Sequence, residues 1–171
     1  MTEHVEAWLA QRTSTAGDWP HAAVMAAKNA DVAVILPALN EAQTVGQIVN
    51  TLRTELLGSL VDDLVVLDSG STDATAAVAK EHGARVVALD EVFPALPPLR
   101  GKGEAMWRAL AATSAEVVVF IDADLRSFSA DYVRGLLGPL FADPQVALVK
   151  AVYERPLVQG ESVVPAGGGR V

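Results

Sequence analysis

The sequence predicts an α/β domain built on a mostly parallel sheet flanked by helices. Apolar runs rich in Val, Leu and Ile recur along the chain at residues 31–36, 64–67, 85–89 and 117–121. Between these runs, apolar residues recur at the three- and four-residue spacing of amphipathic helices. Strands that alternate with helices form parallel sheets, and a strand that is apolar throughout is buried on both faces. Both observations therefore favour the same fold class.

Composition narrows the class of protein further. The 171 residues suit one domain with a core, and 51% hydrophobic residues exclude disorder for the body of the chain. No apolar run approaches the roughly 20 residues that span a bilayer, and we expect no membrane segment and no secretory signal. The chain has no cysteine, which excludes disulfides and thiolate metal sites, and we expect a cytoplasmic protein. The net charge of −8 argues against nucleic acid as a partner.

Residues 1–30 are expected to form a helical extension that precedes the main domain. Val5, Trp8 and Leu9 fall on one face of a helix. Trp8 and Trp19 could stack on a base or a sugar. Packing of both rings onto the main domain is the interpretation we favour, because aromatic side chains mostly serve burial.

The first strand, residues 31–36, is expected to end at Pro37, because proline cannot continue the hydrogen-bond ladder. Asn40 is then expected to cap a helix, with Gln43 in the capping-box position. The apolar stripe of this helix is Val45, Ile48, Val49, Leu52 and Leu56.

The later elements continue the alternation. They are strand 64–67, helix 74–82, strand 85–89, helix 102–113, strand 117–121, helix 130–141 and strand 146–153. Gly83 is a typical helix C-terminal stop. After Arg155, Gly160, Pro165 and three consecutive glycines predict no further core element.

Polar residues directly follow three of the predicted strands. The segments are PALNE at residues 37–41, DSGSTD at residues 68–73 and DAD at residues 122–124. In a doubly wound sheet, ligands bind outside the carboxyl ends of the strands. One such loop is ordinary turn chemistry, but three at equivalent positions predict a binding site.

Asp122 and Asp124 lie on the same side of an extended chain, because side chains alternate along it. Hard carboxylate oxygens without cysteine select Mg²⁺ or Mn²⁺ rather than zinc. Such an ion would bridge a diphosphate and neutralise charge as the diphosphate leaves. A lone Asp-x-Asp is more often a solvated acidic loop, so this interpretation depends on the other two loops.

The first strand-to-helix turn contains no glycine, which excludes the dinucleotide-binding fingerprint, and a Walker loop is also absent. Gly101, Lys102 and Gly103 precede a helix, where backbone and a point charge could meet a phosphate. A flexible turn is the alternative. Glu41 and Asp68 are candidates for hydrogen bonds to a base or ribose.

Together, PALNE, DSGSTD, GKGEAM at residues 101–106, DAD and GGGRV at residues 167–171 resemble the nucleotide-sugar half of the glucosyl-3-phosphoglycerate synthases. These are actinobacterial retaining glycosyltransferases with the GT-A (Rossmann-like) fold. PALNE and DAD would fit almost any GT-A enzyme, whereas GKGEAM and GGGRV are more specific. The likeness begins at about Val32, after the helical extension expected at 1–30. It implies a GT-A nucleotide-sugar-binding domain at 31–155 and an incomplete acceptor-binding region at 156–171.

The resemblance also implies a role for each matching residue. The nucleotide-sugar-binding residues would be Pro37, Ala38, Leu39, Glu41, Ser69, Lys102, Asp122 and Ala123. Asp124 would be the direct metal ligand, with Asp122 beside it, and Lys102 and Asp124 would be the catalytic residues. The acceptor would contact Gly169, Arg170 and Val171.

The implied reaction moves glucose from UDP-glucose to 3-phosphoglycerate with Mg²⁺ or Mn²⁺, in a homodimer. The family's remaining metal and acceptor ligands would lie beyond Val171, so we expect the C-terminal acceptor half to be missing. Mannosyl transfer from GDP-mannose, another GT-A reaction such as polyprenyl-phosphate glycosyl transfer, and a non-catalytic nucleotide-sugar-binding module stay open. A nucleotidyltransferase would be expected to carry a glycine-rich loop after the first strand, and PALNE supplies none.

Overall fold

The computed structural model describes residues 3–97, 101–152, 155–159 and 162–166. The helices are α1 (Glu3–Arg12), α2 (His21–Ala27), α3 (Val45–Glu55), α4 (Thr75–Glu81), α5 (Lys102–Ala109) and α6 (Asp131–Ala142), with 3₁₀ turns at Ala16–Asp18 and Leu89–Glu91. The strands are β1 (Val32–Ala38), β2 (Asp63–Asp68), β3 (Arg85–Ala88), β4 (Val117–Phe120), β5 (Arg155–Gln159) and β6 (Ser162–Ala166). Among the helices in these ranges, none is long and apolar enough to cross a membrane.

The main sheet is parallel throughout and has the strand order β3-β2-β1-β4. In the centre, β1 pairs with β2 and with β4, so that Ile35 lies opposite both Val65 and Phe120. This arrangement confirms the predicted fold class. It also brings the carboxyl ends of all four strands to one edge of the sheet.

Both faces of the sheet are covered, because alternate residues of β1 enter two different cores. Val34 and Leu36 pack with residues of α3 and α6, whereas Ile35 packs with Ala105 and Ala109 of α5. All three β1 residues are fully buried. A run of apolar residues without polar alternation is the pattern that two-sided burial requires.

The prediction that Pro37 ends the first strand is wrong. Pro37 pairs with Leu67 inside the ladder, and β1 continues to Ala38. The carbonyl of Ile35 accepts a hydrogen bond from Ile121 on the β4 side, and the carbonyl of Ala38 accepts one from Ser69 on the β2 side. Because these directions alternate, the missing Pro37 N–H would point toward β4, whose ladder has already ended at Ile35.

Asn40 is not a helix cap. The α3 helix begins at Val45, after the turn at 41–44, and its N-cap residue Thr44 makes no side-chain cap bond. Asn40 instead has a φ of 60°, in the left-handed region that Asn tolerates better than most residues. Its Oδ1 accepts a hydrogen bond from the Thr72 backbone at 2.8 Å, so its side chain is held by the second loop.

The end of the chain also differs from expectation. Residues 146–152 do not form a strand, and the apolar side chains of Leu148 and Val152 are 84% and 91% exposed. An antiparallel pair of strands, β5 and β6, lies where no further element was expected. Its cross-strand pairs join Leu157 to Val164 and Val158 to Val163, two short apolar runs that the glycine- and proline-rich composition concealed.

The two N-terminal tryptophans behave differently. Trp19 packs against the main core and its indole N–H donates to Ser14 Oγ at 2.8 Å, which confirms the packing interpretation for this residue. Trp8 is 60% exposed and α1 has no buried residue, so the same interpretation is wrong for Trp8.

Candidate functional site

A cavity of about 700 Å³ opens at the carboxyl edge of the sheet. This volume is within the range of small-molecule sites in proteins. The cavity is lined by Pro37, Leu39, Glu41, Ser69, Gly70, Leu89, Gly101, Lys102, Ala105, Asp122, Ala123 and Asp124. The structure thus brings the three predicted loops and the start of α5 together around one space.

Ala38 does not line this cavity, although the sequence motif placed it among the binding residues. Its side chain is buried at 2% exposure, and its carbonyl accepts the backbone hydrogen bond from Ser69 at 2.9 Å. Ala38 is therefore a buried residue whose backbone hydrogen bond connects the first loop to the second. Leu39, the next residue, is 53% exposed and presents an apolar side chain to the cavity.

Asp68, a candidate for hydrogen bonds to a base or ribose, instead stabilises its own loop. It does not line the cavity, and its Oδ1 accepts a hydrogen bond from the Ser71 backbone at 3.0 Å. This bond closes the loop around Gly70, whose φ of 88° favours glycine. Asp68 shapes the loop that carries Ser69 and Gly70 to the cavity.

A polar brace joins the first loop to the second, and sequence reasoning missed it. The Asn40 backbone donates to Ser71 Oγ, and the Glu41 backbone donates to Thr75 Oγ1 at 2.8 Å. Asp73 accepts from the backbone and hydroxyl of fully buried Thr75. Aspartate two residues before a threonine is a common turn pattern, but only the fold shows that it reaches Glu41.

The pKa values of Asp73 and Glu41 are shifted in opposite directions by their surroundings. The Thr75 side-chain hydrogen bond lowers the pKa of Asp73, with help from the backbone amides of Thr75 and Ala42. Burial raises the pKa of Glu41, and the negative charges of Asp124 and Asp73 raise it further. Glu41 thus lies in a local field that favours a cation or a hydrogen-bond donor.

Lys102 and Asp122 form an ion pair across the cavity, at the first residue of α5 and just beyond β4. The two side chains are 61% and 40% exposed. An ion pair so open to solvent contributes little to stability and can exchange partners with a ligand. The ammonium group is therefore available to an anion, and the Asp122 carboxylate to a cation.

The carboxylates of the DAD segment fit a divalent cation in donor type. Asp122 and Asp124 both line the cavity, and the intervening Ala123 carbonyl is anchored by Thr44 Oγ1 at 2.6 Å. Hard oxygen donors of this kind suit Mg²⁺ or Mn²⁺. Within the described ranges no cluster of three or more His, Asp or Glu residues could hold a metal alone. Phosphate oxygens of a ligand are of the same hard donor type and can add to the two carboxylates.

A second, smaller cavity of about 270 Å³ lies near the amino ends of the strands and includes Asp62 and Asp63. Lys28 pairs with Asp62, and Arg85 with Asp63, so these carboxylates already have cationic partners. Of the residues predicted to bind an acceptor, Gly169, Arg170 and Val171 lie outside the described residues.

Residues 33–162 match glycosyl transferase family 2. Glucosyl-3-phosphoglycerate synthase of Mycolicibacterium smegmatis is 47% identical over 165 residues, which is 96% of this chain and 54% of the relative. A crystal structure of the Mycobacterium tuberculosis glucosyl-3-phosphoglycerate synthase aligns with a TM-score of 0.76 at 46% identity, over 80% of this chain and 51% of that one.

Another crystal structure of the M. tuberculosis enzyme is a complex with Mn²⁺, UDP-glucose and phosphoglyceric acid. It aligns with a TM-score of 0.69 at 47% identity, over 72% of this chain and 44% of that one. The chain spans about half the length of the curated relatives it matches.

Proposed function

The chain belongs to glycosyl transferase family 2, and we propose that it supplies the donor-binding part of a metal-dependent retaining enzyme that transfers glucose from UDP-glucose to 3-phosphoglycerate. The observation that carries this proposal is the meeting of three strand-end loops and Lys102 around one cavity. Support comes from the 47% identity to a solved structure in complex with Mn²⁺, UDP-glucose and phosphoglyceric acid.

The nucleoside is assigned to the β1–β2 side of the cavity. Leu39 offers an exposed apolar surface to the flat uracil ring, and Pro37 lies beside it in the lining. Glu41 can accept hydrogen bonds from ribose hydroxyls, and Ser69 can donate or accept one. The backbone position of Glu41 is set by the hydrogen bond to Thr75.

The diphosphate is assigned to the opposite side, between α5 and the DAD segment. Asp124 and Asp122 would hold Mg²⁺ or Mn²⁺, whose charge offsets the negative charge that develops on the departing diphosphate. Lys102 exchanges Asp122 for a phosphate oxygen and donates a hydrogen bond to it. That interaction strengthens as the sugar bond breaks, which is the condition for a group to accelerate the reaction.

The acceptor is assigned to Gly169, Arg170 and Val171, which follow β6. The Arg170 guanidinium suits the carboxylate or the phosphate of 3-phosphoglycerate, because its donors can bind two oxygens at once. The homodimer and the cytoplasmic location stay predictions, and light scattering would measure the first.

UDP release tests the activity. The protein is mixed with UDP-glucose, Mn²⁺ and 3-phosphoglycerate, and 2-phosphoglycerate serves as the matched acceptor control. We expect release only with 3-phosphoglycerate, and replacement of UDP-glucose by GDP-mannose tests the mannosyl alternative. Release that no acceptor stimulates would contradict the assignment of 3-phosphoglycerate.

A non-catalytic nucleotide-sugar-binding module is the second candidate, and it is favoured by the finding that the described residues contain no cluster of three or more His, Asp or Glu side chains able to hold a metal. Calorimetry with UDP and Mn²⁺ separates the two candidates. Binding without release of UDP from UDP-glucose supports the module, whereas turnover refutes it.

A further inference from the structure

Arg108 is a charged side chain buried inside the fold, with 1% of its side chain exposed. A guanidinium group loses its hydration when it is buried, so its N–H groups need partners within the protein. Arg108 does not line the cavity. Arg108 lies on α5, six residues after Lys102, so the partners of its guanidinium affect the helix that carries Lys102.

The guanidinium of Arg108 binds the loop that leads into its own helix. Nε donates to Glu104 Oε1 at 2.7 Å, on the preceding turn of α5. Nη1 donates to the Val92 carbonyl, with Leu89 and Phe93 carbonyls at 3.5 and 3.4 Å, and Nη2 donates to the Leu96 carbonyl at 2.8 Å. Each nitrogen of the guanidinium thus has its own acceptor.

Both segments joined by Arg108 contribute to the cavity wall. Leu89 lines the cavity from the loop, and Gly101, Lys102 and Ala105 line it from the start of α5. The ring of Phe93, on the loop, also contacts Trp107 of α5, with ring centroids 5.1 Å apart. Leu89 and Val92 of the loop are buried in the core, so movement of α5 relative to the loop would displace the backbone from which the exposed Lys102 side chain reaches toward Asp122.

We propose that Arg108 is a positioning residue that ties the 89–96 loop to α5 and thereby aims Lys102 at the donor's diphosphate. This inference rests on the proposed function, because it assigns a diphosphate to Lys102. It goes further by giving the orientation of Lys102 a cause in a buried residue that does not line the cavity. Lysine could not replace arginine here, since one ammonium cannot serve acceptors spread over three sides of a planar guanidinium.

A double-mutant cycle on UDP binding tests the proposal. Calorimetry measures the Kd for UDP with Mn²⁺ on the wild type, Arg108→Lys, Lys102→Ala and the double variant, and NMR titration measures the Kd for uridine. We expect about a tenfold loss of UDP affinity for Lys102→Ala, as for loss of one charge-assisted hydrogen bond. Arg108→Lys should weaken UDP binding about fivefold and leave uridine binding unchanged. The double variant should bind UDP like Lys102→Ala alone, because Arg108 acts through Lys102.

Arg85→Lys is the matched control. Arg85 also joins a carboxylate, that of Asp63, to a backbone carbonyl, that of Ala112, but it does so away from the cavity. This variant should bind UDP like the wild type. Arg108→Met is a second variant that removes the buried charge, and circular dichroism checks the folding of each protein.

The possible outcomes separate the two levels of the hypothesis. A wild type that does not bind UDP would overturn the proposed function and this inference with it. If UDP and uridine affinities fall together in Arg108→Lys, or if the losses in the double variant multiply, only the positioning role is wrong. Failure of both Arg108 variants to fold would assign the residue to folding alone and would also overturn that role.

Discussion

The charged side chains around the cavity are arranged for exchange rather than for stability. Lys102 and Asp122 pair while both remain partly in solvent, and Asp124 is exposed beside them. Exposed pairs contribute little to folding, since solvent screens them and ordering them has an entropic cost. At the scale of residues, substitutions here should therefore affect ligand binding far more than the free energy of unfolding.

Asp124→Asn tests the assignment of this carboxylate to a metal ion. Loss of a charged oxygen donor should weaken Mn²⁺-supported UDP binding about tenfold or more, with little change in melting temperature. Calorimetry with UDP, with and without Mn²⁺, measures the effect. Asp131→Asn, an exposed carboxylate that pairs with Arg134 on α6, is the control. Equal Mn²⁺ dependence in the wild type and Asp124→Asn would contradict the assignment.

Glu41→Gln should raise stability at neutral pH. The pKa of Glu41 is raised by burial and by the charges of Asp124 and Asp73, so folding favours its protonated form. Stability associated with this group is present below its ordinary pKa of 4.5 and is lost as pH rises through the raised value in the folded protein. The amide of Gln is uncharged at every pH, so the variant does not lose this stability as the pH rises.

Thermal denaturation at pH 7 and pH 4 checks the prediction for Glu41. The variant should melt at a higher temperature than the wild type at pH 7, and the difference should shrink at pH 4. A variant less stable than the wild type at pH 7 would show that the Glu41 carboxylate makes a favourable interaction in the folded protein.

At the scale of elements, the loop after β1 is held by the start of α4. Thr75, fully buried, accepts from the Glu41 backbone and donates to Asp73, and Asp73 accepts from the Ala42 backbone. A loop with several bonds to a neighbouring helix presents Leu39 and Glu41 in one arrangement. This brace prepares the nucleoside side of the cavity before a ligand arrives.

Thr75→Val keeps the shape of the side chain and removes its hydroxyl. The change leaves the Glu41 amide without its partner, while Asp73 Oδ1 keeps only the bond from the Thr75 backbone. For the unpaired Glu41 amide we expect a loss of about 1–3 kcal/mol in the free energy of unfolding. Urea denaturation at pH 7 measures it. Thr54→Val removes an exposed hydroxyl from α3 and should change stability by less than about 0.5 kcal/mol.

The pH dependence of this loss provides a further check. Because its hydrogen bonds lower the pKa of Asp73, the stability they confer is present above the ordinary value of 3.8 and is lost as pH falls through the lowered one. The difference between the wild type and Thr75→Val should therefore narrow at strongly acidic pH. A difference that is the same at every pH would exclude Asp73 from the brace.

At the scale of the whole molecule, the N-terminal segment is joined to the α/β domain through Trp19. A Cβ atom added at Gly138 of α6 would lie 2.2 Å from Trp19 Cδ2, so the indole occupies the space above that glycine. The absence of a side chain at Gly138 allows this close approach. Helix α1, in contrast, has no buried residue.

Gly138→Ala should therefore destabilise the protein, although alanine is a better helix former than glycine. The matched control is Gly135→Ala on the same helix, where the nearest atom to the new Cβ would be 3.6 Å away. The control should be neutral or more stable by up to about 1 kcal/mol. Urea denaturation measures both variants, and equal stability of the two would mean that Trp19 does not pack as described.

Predictions from sequence are correct for features that depend on residues close together in the chain, and wrong for features that depend on partners far away in the chain. The buried runs of β1 and β2, and the stop at Gly83, follow from side-chain pattern and backbone preference over a few residues. The strand expected at 146–153 has a similar apolar pattern, but residues 146–152 pair with no strand in the described part of the chain. Apolar alternation alone cannot supply the partner that a strand needs.

The sequence alone determined the α/β class, the alternation of strands and helices along the chain, and the motifs that meet at the cavity. Hydrophobic periodicity and turn residues act locally, so these features can be predicted without a fold. Only the tertiary structure decided that Pro37 stays in the ladder, that Asn40 and Thr75 brace two loops, and that Arg108 binds four backbone carbonyls of one loop. A polar group takes whichever partner the fold brings to it when water is excluded, and for the Glu41 amide that partner is Thr75, 34 residues away in the chain.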